Sequence, residues 1–333
     1  MSNNNMNLHK ASKAKKDEFY TQLSDIEKEL KHYKGYFKGK VVLCNCDDPQ
    51  ESNFWKYFSL NFEFLGLKKL IATHFDYNPT YKLELIADIN KDGKVNGLDT
   101  IKTPFKQNGD FRSPECVDIL KEADVVVTNP PFSLFREYIA QLVQYNKKFL
   151  VIGNMNAITY KETFSLIKDN KVWLGCTNPK EFRMPDSYPL LGSSFVDGNG
   201  NKVAKFGNIC WFTNLHHKKR NDELILYKKY NEKDYPKYDN YDAINVDKVK
   251  DIPVDYFETI GVPITFLDKY NPEQFEILGI TDRQNTSGLR NKKYSLEDNA
   301  KFNDLNARSV IRNGDTYKAI YVRLLIKKGE TNG

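Results

Sequence analysis

One stretch decides the fold of this chain: Asp124-Val125-Val126-Val127-Thr128-Asn129-Pro130-Pro131-Phe132. Its run of β-branched residues predicts a short buried strand, and residues 133–145 after it predict a helix. Each of the two prolines fixes a φ angle, lacks an N–H group and pushes the preceding residue out of helical space. We therefore predict a rigid loop at the carboxyl end of a strand, which is where open α/β sheets bind their ligands.

The loop offers an amide side chain, Asn129, and an aromatic ring, Phe132, beside free backbone carbonyls. An amide oxygen and a carbonyl can both accept from one planar NH₂ group, and the ring can stack on the heterocycle that carries this group. Asn-Pro-Pro-Phe after an apolar strand resembles the catalytic motif of amino-group methyltransferases that use S-adenosylmethionine. The alternative is a turn that ends the strand, followed by a phenylalanine of the core.

The sequence around this loop alternates between strand and helix patterns. Strands are predicted at 40–44, 67–73, 148–152 and 171–174, and helices at 24–33, 52–60, 115–121 and 159–169. A later strand is predicted at 205–213. The alternation from residue 41 to residue 174 indicates a doubly wound α/β sheet.

The composition supports a substantial core. The chain has 333 residues, of which 40% are hydrophobic and 13% aromatic, enough for one large domain or two smaller ones. No apolar run reaches the roughly 18 residues that a membrane span needs, and residues 1–16 lack the apolar core of a secretory signal. We therefore expect an intracellular, cytoplasmic protein. The five cysteines are scattered, which matches neither a disulfide framework nor a zinc site, so no metal site is predicted.

Positive charge is concentrated towards both ends of the chain. Residues 1–40 carry nine Lys and Arg against five Asp and Glu, and residues 283–328 carry eleven against four. This distribution suits a polyanionic partner such as nucleic acid, and a lysine-rich solvated surface is the alternative. The loop at 282–293 is rich in side chains that contact base edges and phosphates, although an ordinary polar loop would have a similar composition. The predicted DNA-binding residues in it are Arg283, Arg290, Lys292 and Lys293.

Residues 88–99 match the spacing of an EF-hand calcium loop, except that Asp99 stands where glutamate is usual. The residues before them, 82–87, predict a strand and not the entering helix of an EF-hand. Lys91-Asp92-Gly93-Lys94 is also typical of a hairpin turn. We favour a polar hairpin insertion, and a calcium-regulated binding protein is the alternative.

Two short motifs resemble cofactor-binding segments of adenine methyltransferases. Phe19-Tyr20-Thr21 precedes the first helix, and in the family such residues line the pocket for the methionine end of the cofactor; Gln22 replaces the usual proline, and a residue packing on its own helix is the alternative. Asp110-Phe111 lies about eighteen residues before Asn129. In the family this pair ends strand three, where the aspartate accepts from the cofactor's adenine amino group and the phenylalanine packs on the ring.

Acidic residues follow the first two predicted strands. Asp47 and Asp48 stand where a carboxylate can bind the ammonium of the cofactor. No glycine is present there, so the backbone cannot approach a ligand as closely as a glycine-rich loop does. Asp76 follows strand two and is the candidate for the ribose hydroxyls, with a turn aspartate as the alternative.

The order of these motifs resembles the gamma arrangement of DNA adenine methyltransferases. Longer stretches resemble the EcoRI-type modification methylase family, a branch that also lacks the glycine loop. They are residues 16–22, 44–49, 129–138 and 261–272. The resemblance covers nearly the whole chain. It implies the class I, Rossmann-like fold of S-adenosylmethionine-dependent methyltransferases, with a disordered basic arm at 1–16, a catalytic domain at 17–215 and a DNA target-recognition region at 216–333.

The resemblance also implies an activity, namely methyl transfer to the exocyclic N6 of an adenine flipped out of duplex DNA. Asn129 and the Pro130 carbonyl would accept both amino hydrogens, Phe132 would stack on the base, and Trp211 or Phe212 would cover its other face. We expect a monomer whose genetic partner is a restriction endonuclease. The alternatives are a methyltransferase acting on RNA adenine or protein glutamine, and a catalytically inactive DNA-binding module.

Overall fold

The computed structural model describes residues 19–190, 192 and 194–329, so the predicted basic arm at 1–16 lies outside the described residues. The strands are β1 (Tyr20–Thr21), β2 (Val41–Cys46), β3 (Lys69–His74), β4 (Tyr81–Leu85), β5 (Ile101–Pro104), β6 (Val125–Thr128), β7 (Lys148–Asn154), β8 (Trp173–Leu174), β9 (Glu181–Arg183), β10 (Phe195–Val196), β11 (Lys202–Lys205), β12 (Ile209–Thr213), β13 (Ile244–Asn245), β14 (Ile260–Pro263), β15 (Phe275–Ile280), β16 (Ser309–Asn313), β17 (Thr316–Ile320) and β18 (Arg323–Lys328). The helices are α1 (Leu23–Leu30), α2 (Asn53–Leu60), α3 (Phe62–Leu65), α4 (Pro114–Glu122), α5 (Phe135–Gln144), α6 (Lys161–Lys168) and α7 (Phe302–Leu305).

The largest sheet has eight strands in the order β5-β4-β3-β2-β6-β7-β12-β8. The four central strands run parallel to one another, and antiparallel strands extend the sheet at both edges. From β2 the chain first builds β3 on one side and later builds β6 on the other. The strand order therefore reverses between β2 and β6, and open α/β sheets bind their ligands in the crevice at the carboxyl ends of two such strands. The predicted α/β class is confirmed.

The central strands are buried because their side chains are apolar on both faces. Every residue of β6 is buried, and Val126 and Val127 are fully so. Burial of each such aliphatic side chain contributes about 1.5–3 kcal/mol. Helix α5 packs on the sheet through an apolar stripe at helical spacing, Phe135, Tyr138, Ile139 and Leu142. The loop of Asn129 is therefore held between a buried strand and a well-packed helix.

The predicted strand at 205–213 corresponds to β12, which begins at Ile209, while Lys205 is the last residue of β11. β11 belongs to a four-stranded sheet of order β1-β9-β11-β10, and β12 lies between β7 and β8 in the large sheet. Trp211 and Phe212 in β12 have no exposed surface: Phe54 meets the Trp211 ring at 6.0 Å, and Phe135 meets the Phe212 ring at 5.0 Å. The prediction that either residue covers the flipped base or contacts DNA was wrong, because both rings are part of the core.

Residues 81–104 form a hairpin, which confirms the hairpin predicted around 88–99. β4 pairs antiparallel with β3 and with β5. In the connection, Asp99 is buried and accepts from the backbone N–H groups of Ile89, Asn90 and Asn96 at 2.8–3.0 Å. The hairpin occupies the sheet position next to β3. Asp110 and Phe111 therefore do not end a third parallel strand, which is where the family resemblance places them. They lie in the loop between β5 and α4.

The described residues divide into two compact units, one comprising residues 19–157 and 172–217, the other 158–171 and 218–329. The segment 158–171, which we had assigned to the catalytic region, groups with the second unit. That unit contains a sheet of order β13-β14-β18-β15 and the separate hairpin β16-β17. In the described part of the chain no helix has the length and apolar character to cross a membrane.

Candidate active site

Asn129 follows β6 directly and is 6% exposed. Its Nδ2 donates to the backbone carbonyl of Phe19 at 2.5 Å. Only the NH₂ end of an amide can donate to a carbonyl, so Oδ1 must face the other way. Oδ1 is buried and has no hydrogen-bond partner among the described residues. A buried acceptor without a donor costs about 1–3 kcal/mol, which makes this oxygen a natural place for the NH₂ group of a ligand.

Phe19 contributes to this site through its main chain. Its ring is half-buried and packs edge-on against Phe206 at 4.9 Å and Tyr188 at 6.3 Å, which fixes the segment that carries the carbonyl. We had predicted a side-chain role for Phe19 at the cofactor. The carbonyl contact was missed because a main-chain acceptor has no signature in the residue type.

The next two residues, Tyr20 and Thr21, form β1 and pair with Arg183 and Phe182 of β9. Asn53 at the start of α2 donates from Nδ2 to the Thr21 carbonyl at 2.7 Å. This bond connects β1 to the helix that follows β2 of the large sheet. The hydroxyl of Thr21 is buried, and among the residues described it has no hydrogen-bond partner. Two buried polar atoms without partners, Thr21 Oγ1 and Asn129 Oδ1, are thus held by one short segment.

The turn after β2 adopts a left-handed conformation without glycine. Cys46 has a φ of 86°, which costs an ordinary residue on the order of 1–3 kcal/mol. The preceding residue, Asn45, is held from two sides: Thr128 Oγ1 donates to its carbonyl, and Tyr138 donates to its Oδ1 at 2.6 Å. These bonds offset the strain at Cys46, so the chain makes the turn expected of a glycine loop by other means. Burial raises the pKa of the Cys46 thiol, which is therefore neutral.

Asp47 and Asp48 lie half-buried at the carboxyl end of β2. Asp47 accepts from the Ser52 hydroxyl at 3.3 Å, and Asp48 accepts from the backbone N–H of Gln50 at 3.0 Å. Ser52 is also the cap of α2, accepting from the Phe54 N–H at 3.3 Å. Gln50 and the cap residue Ser52, which both precede α2, therefore hold the two carboxylates at the carboxyl end of β2.

Asp76 and Asp110, predicted for the two halves of the cofactor's nucleoside, are brought into adjacent segments. The Asp76 N–H donates to the Asn108 carbonyl at 2.9 Å. Gly109 makes this approach possible: it has a φ of +72°, and a Cβ there would lie 2.0 Å from the His74 carbonyl oxygen. His74 itself, which sequence reasoning missed, is buried, and burial lowers its pKa against the opposing charges of Asp48 and Asp76.

Asp110 is held by Arg112, a residue that the sequence did not single out. Arg112 donates to both carboxylate oxygens, from Nε at 2.9 Å and from Nη2 at 2.7 Å, and its Nη1 donates to Glu137 of α5 at 2.7 Å. Burial acts to raise the pKa of Asp110, but the hydrogen bonds and charge of Arg112 outweigh it and hold the pKa below the usual value. Asp110 is thus an anion that Arg112 connects to Glu137 of α5.

Phe111 and Phe132 present the two remaining rings. Phe111 is 7% exposed and packs edge-on against Tyr138 at 5.1 Å. Pro130 is buried, and Phe132, which begins the 3₁₀ turn Phe132–Leu134, is half-buried against the same core cluster as Phe19. Tyr138 contacts both Asn45 and Phe111, and this link between distant segments could not be predicted from residue types.

The predicted DNA-binding loop lies in the second unit, and its four cations differ in availability. Arg283 and Lys293 are exposed. Arg290 donates from Nη2 to the Asp282 carbonyl, and Lys292 forms an ion pair with Asp239 at 2.7 Å. Among the four, Arg283 and Lys293 are thus the cations without a side-chain hydrogen bond or ion pair to any residue that the structure describes.

Comparison with known proteins gives consistent matches. Residues 7–329 match the family model described as adenine-specific methyltransferase EcoRI. The chain is 54% identical to the type II methyltransferase M.EcoRI of Escherichia coli over 286 residues, which is 81% of this chain and 88% of the relative. It is 41% identical to M.MgeORF184P of Mycoplasma genitalium over 96% of this chain and 98% of the relative, and 43% identical to M.MpnI of Mycoplasma pneumoniae over 81% and 84%. No solved structure matches the chain.

Proposed function

The chain belongs to the EcoRI family of adenine-specific methyltransferases, and we propose that it methylates the exocyclic N6 of an adenine flipped out of duplex DNA, with S-adenosylmethionine as the methyl donor. The observation that carries this proposal is the buried Oδ1 of Asn129. It is an acceptor for which the described part of the chain supplies no donor, and it follows β6 at the sheet edge where α/β sheets bind ligands. The finer arrangement we propose for the fold is the class I, Rossmann-like one.

The residues at the crevice fit S-adenosylmethionine. For the polar methionine end, Thr21 offers a buried hydroxyl that has no hydrogen-bond partner within residues 19–190, 192 and 194–329. Asp47 and Asp48 offer carboxylates for its ammonium, Asp76 for its ribose hydroxyls, and Asp110 with Phe111 an acceptor and a ring for its adenine. Tyr20 lies in β1 between Phe19 and Thr21, and we assign it to the same cofactor pocket. When bound, the cofactor supplies an electrophilic methyl group on a positively charged sulfur.

Asn129 and the Pro130 carbonyl would accept the two hydrogens of the target amino group. That arrangement withdraws the nitrogen lone pair from the ring and directs it towards the methyl group. The Phe19 carbonyl keeps the Asn129 amide from rotating. Phe132 would stack on the extruded base. No strong general base is needed if positioning and electrostatics lower the barrier.

The substrate atom lies inside the double helix, so the enzyme must hold both the DNA and the extruded base. We propose that the second unit recognises the target site and that Arg283 and Lys293, with Arg290 and Lys292, contribute to DNA contact. We propose that this enzyme acts as a monomer. Because the named relatives are type II methyltransferases, we also propose that it protects DNA against a cognate restriction endonuclease.

The decisive experiment is expression in a host without adenine methylation, followed by sequencing that detects modified bases. We expect N6-methyladenine at one position of one short sequence, on both strands. Genomic DNA that stays unmodified, from cells in which the protein is folded and abundant, would contradict the proposal. Methylated adenine confined to RNA, or a methylated glutamine in protein, would redirect it to another substrate.

A further inference from the structure

The hairpin β16-β17 stands apart in the second unit, because its two strands pair only with each other among the described strands. Its base is firmly anchored. Val310 packs with Tyr294 and Leu305, whereas Ile311 and Ile320 pack with the cluster that contains Tyr241. All three hairpin residues are buried. A base fixed on both faces gives the free end a defined position.

The free end is polar and exposed. Residues 312–316 and Lys318 are exposed, and Gly314 with a φ of +59° makes the two-residue turn. The Thr316 hydroxyl donates to the Asn313 carbonyl at 2.5 Å and closes the turn. Because opposed residues of an antiparallel pair share a face, Asn313 and Thr316 lie on one face and Arg312 and Tyr317 on the other. The end of the hairpin therefore carries hydrogen-bonding groups on both sides.

The guanidinium of Arg312 is held in place through its Nε atom and the face of its plane. Its Nε donates to the Gly314 carbonyl at 2.8 Å, and its Cζ lies 5.3 Å from the centre of the Tyr317 ring. Tyr317 in turn packs edge-on against Tyr294 at 5.7 Å. In the part of the chain that the structure describes, neither Nη atom has a hydrogen-bond partner. An anchored guanidinium with both Nη donors available is suited to a planar acceptor pair.

The surroundings of the hairpin end favour a polyanion that also offers donors. A groove of about 450 Å³ beside it is lined by Lys237, Tyr238, Asp239, Arg312, Gly314 and Asp315. Asp239 is already engaged by Lys292 at 2.7 Å and by the Tyr294 hydroxyl at 2.8 Å. Asp315 remains as an exposed acceptor. A carboxylate repels phosphate, so a surface that binds only phosphate would not present one. Base edges offer donors as well as acceptors, and a carboxylate can accept from those donors.

We propose that the hairpin end, residues 312–318, enters the major groove of the substrate duplex, where Arg312 donates to O6 and N7 of a guanine in the target site. This inference rests on the proposed function. The major groove admits a two-stranded ribbon, and arginine on guanine is its commonest specific contact. Lys318 and Lys237 contact flanking phosphates. The target sequence therefore contains a guanine that Arg312 selects.

The test compares the methylated sequences left in a methylation-free host by the wild-type protein, by Arg312→Ala, by Arg312→Lys and by a control, Lys301→Ala. Lys301 is an exposed cation of the same unit outside the hairpin. We expect Arg312→Ala to accept other bases at one guanine position and to lose about 10- to 100-fold in kcat/KM on the wild-type site. Arg312→Lys keeps the charge but not the paired donors, and it should relax the same position. Lys301→Ala should keep the wild-type sequence.

Purified proteins separate recognition from folding. Melting temperature and S-adenosylmethionine affinity should match the wild type for all three variants. The inference is wrong if Arg312→Ala and Arg312→Lys both methylate the same target sequence as the wild type, with the kcat/KM of the control Lys301→Ala. A target site without guanine would also overturn it. Absence of methylation by the wild-type protein is a different result and would count against the proposed function itself.

Discussion

Asn129 donates from Nδ2 to the backbone carbonyl of Phe19 over 2.5 Å, although the two residues are 110 positions apart in the chain. This bond orients the amide so that its NH₂ group faces the Phe19 carbonyl and its buried oxygen points the other way. An asparagine with a freely rotating amide would present NH₂ there for part of the time and would repel an amino group. The segment that leads into β1 thus determines which end of the Asn129 amide, the oxygen or the NH₂ group, is available to a ligand.

Asn129→Ala should reduce methyl transfer at least about 100-fold, the cost of removing one well-placed polar group from an active site. Asn129→Asp should be similarly impaired, because a carboxylate cannot donate to the Phe19 carbonyl. Transfer of a tritiated methyl group to DNA measures both. Affinity for S-adenosylmethionine serves as the control and should stay near the wild-type value. Full activity of either variant would contradict the role of Asn129.

Tyr138→Phe should weaken cofactor binding more than it slows the bound enzyme. The variant removes the donor to Asn45 Oδ1 and leaves a buried acceptor unpaired beside the strained Cys46, a loss of about 1–3 kcal/mol. The expected result is a raised KM for S-adenosylmethionine with a smaller change in kcat. Tyr145→Phe, at the other end of α5, is the matched control. Equal kinetics for the two variants would remove Tyr138 from the site.

Arg112→Met should make cofactor binding sensitive to mild acid. In the wild-type protein Arg112 holds the pKa of Asp110 below its usual value, so the stabilisation from the anion is present above about pH 4 and is lost only as the pH falls through the lower folded pKa. Without Arg112, burial raises that pKa, and the loss moves to higher pH. Cofactor affinity measured between about pH 4.5 and pH 8 checks this. Lys121→Met, which breaks only an exposed ion pair with Asp118, should leave the profile unchanged.

Gly109→Ala should destabilise the first unit by at least about 2 kcal/mol, because both its φ of +72° and the 2.0 Å approach to the His74 carbonyl exclude a side chain. Gly97→Ala is the matched control, since nothing lies within 4 Å of a Cβ there. Chemical denaturation of the two variants gives the difference. If both unfold at the same denaturant concentration as the wild type, the proposed packing of loop 108–111 on β3 is wrong.

The sequence predicted the elements that residue type alone specifies. The valines of β6 allow only a buried strand, and the two prolines after it allow only a rigid turn, so the predicted strand and the helix at 133–145 agree with β6 and α5. Asn129 could be selected for the same reason. Trp211 could not be placed, because an aromatic residue in a strand has the same pattern whether its face meets a ligand or another layer of core.

Contacts made by main-chain atoms also escaped prediction. Cys46 takes a left-handed φ that its side chain disfavours, and only the bonds on Asn45 explain it. The hairpin β4-β5 was predicted, but the closure of its connection was not, because Asp99 accepts there from the backbone N–H groups of Ile89, Asn90 and Asn96. In each case the outcome depends on partners that are distant in the chain.

The carbonyl of Phe19 has a consequence for how this enzyme can change in evolution. Every amino acid supplies the same carbonyl oxygen, so a substitution at position 19 keeps the acceptor for Asn129 and loses only the ring packing that holds the segment in place. What cannot drift is spacing: a one-residue insertion or deletion beside β1 would shift its register against Arg183 and Phe182 and move the oxygen away. The contact to Asn129 therefore constrains the length of this segment, whereas the ring packing of Phe19 and the buried hydroxyl of Thr21 constrain its residue types.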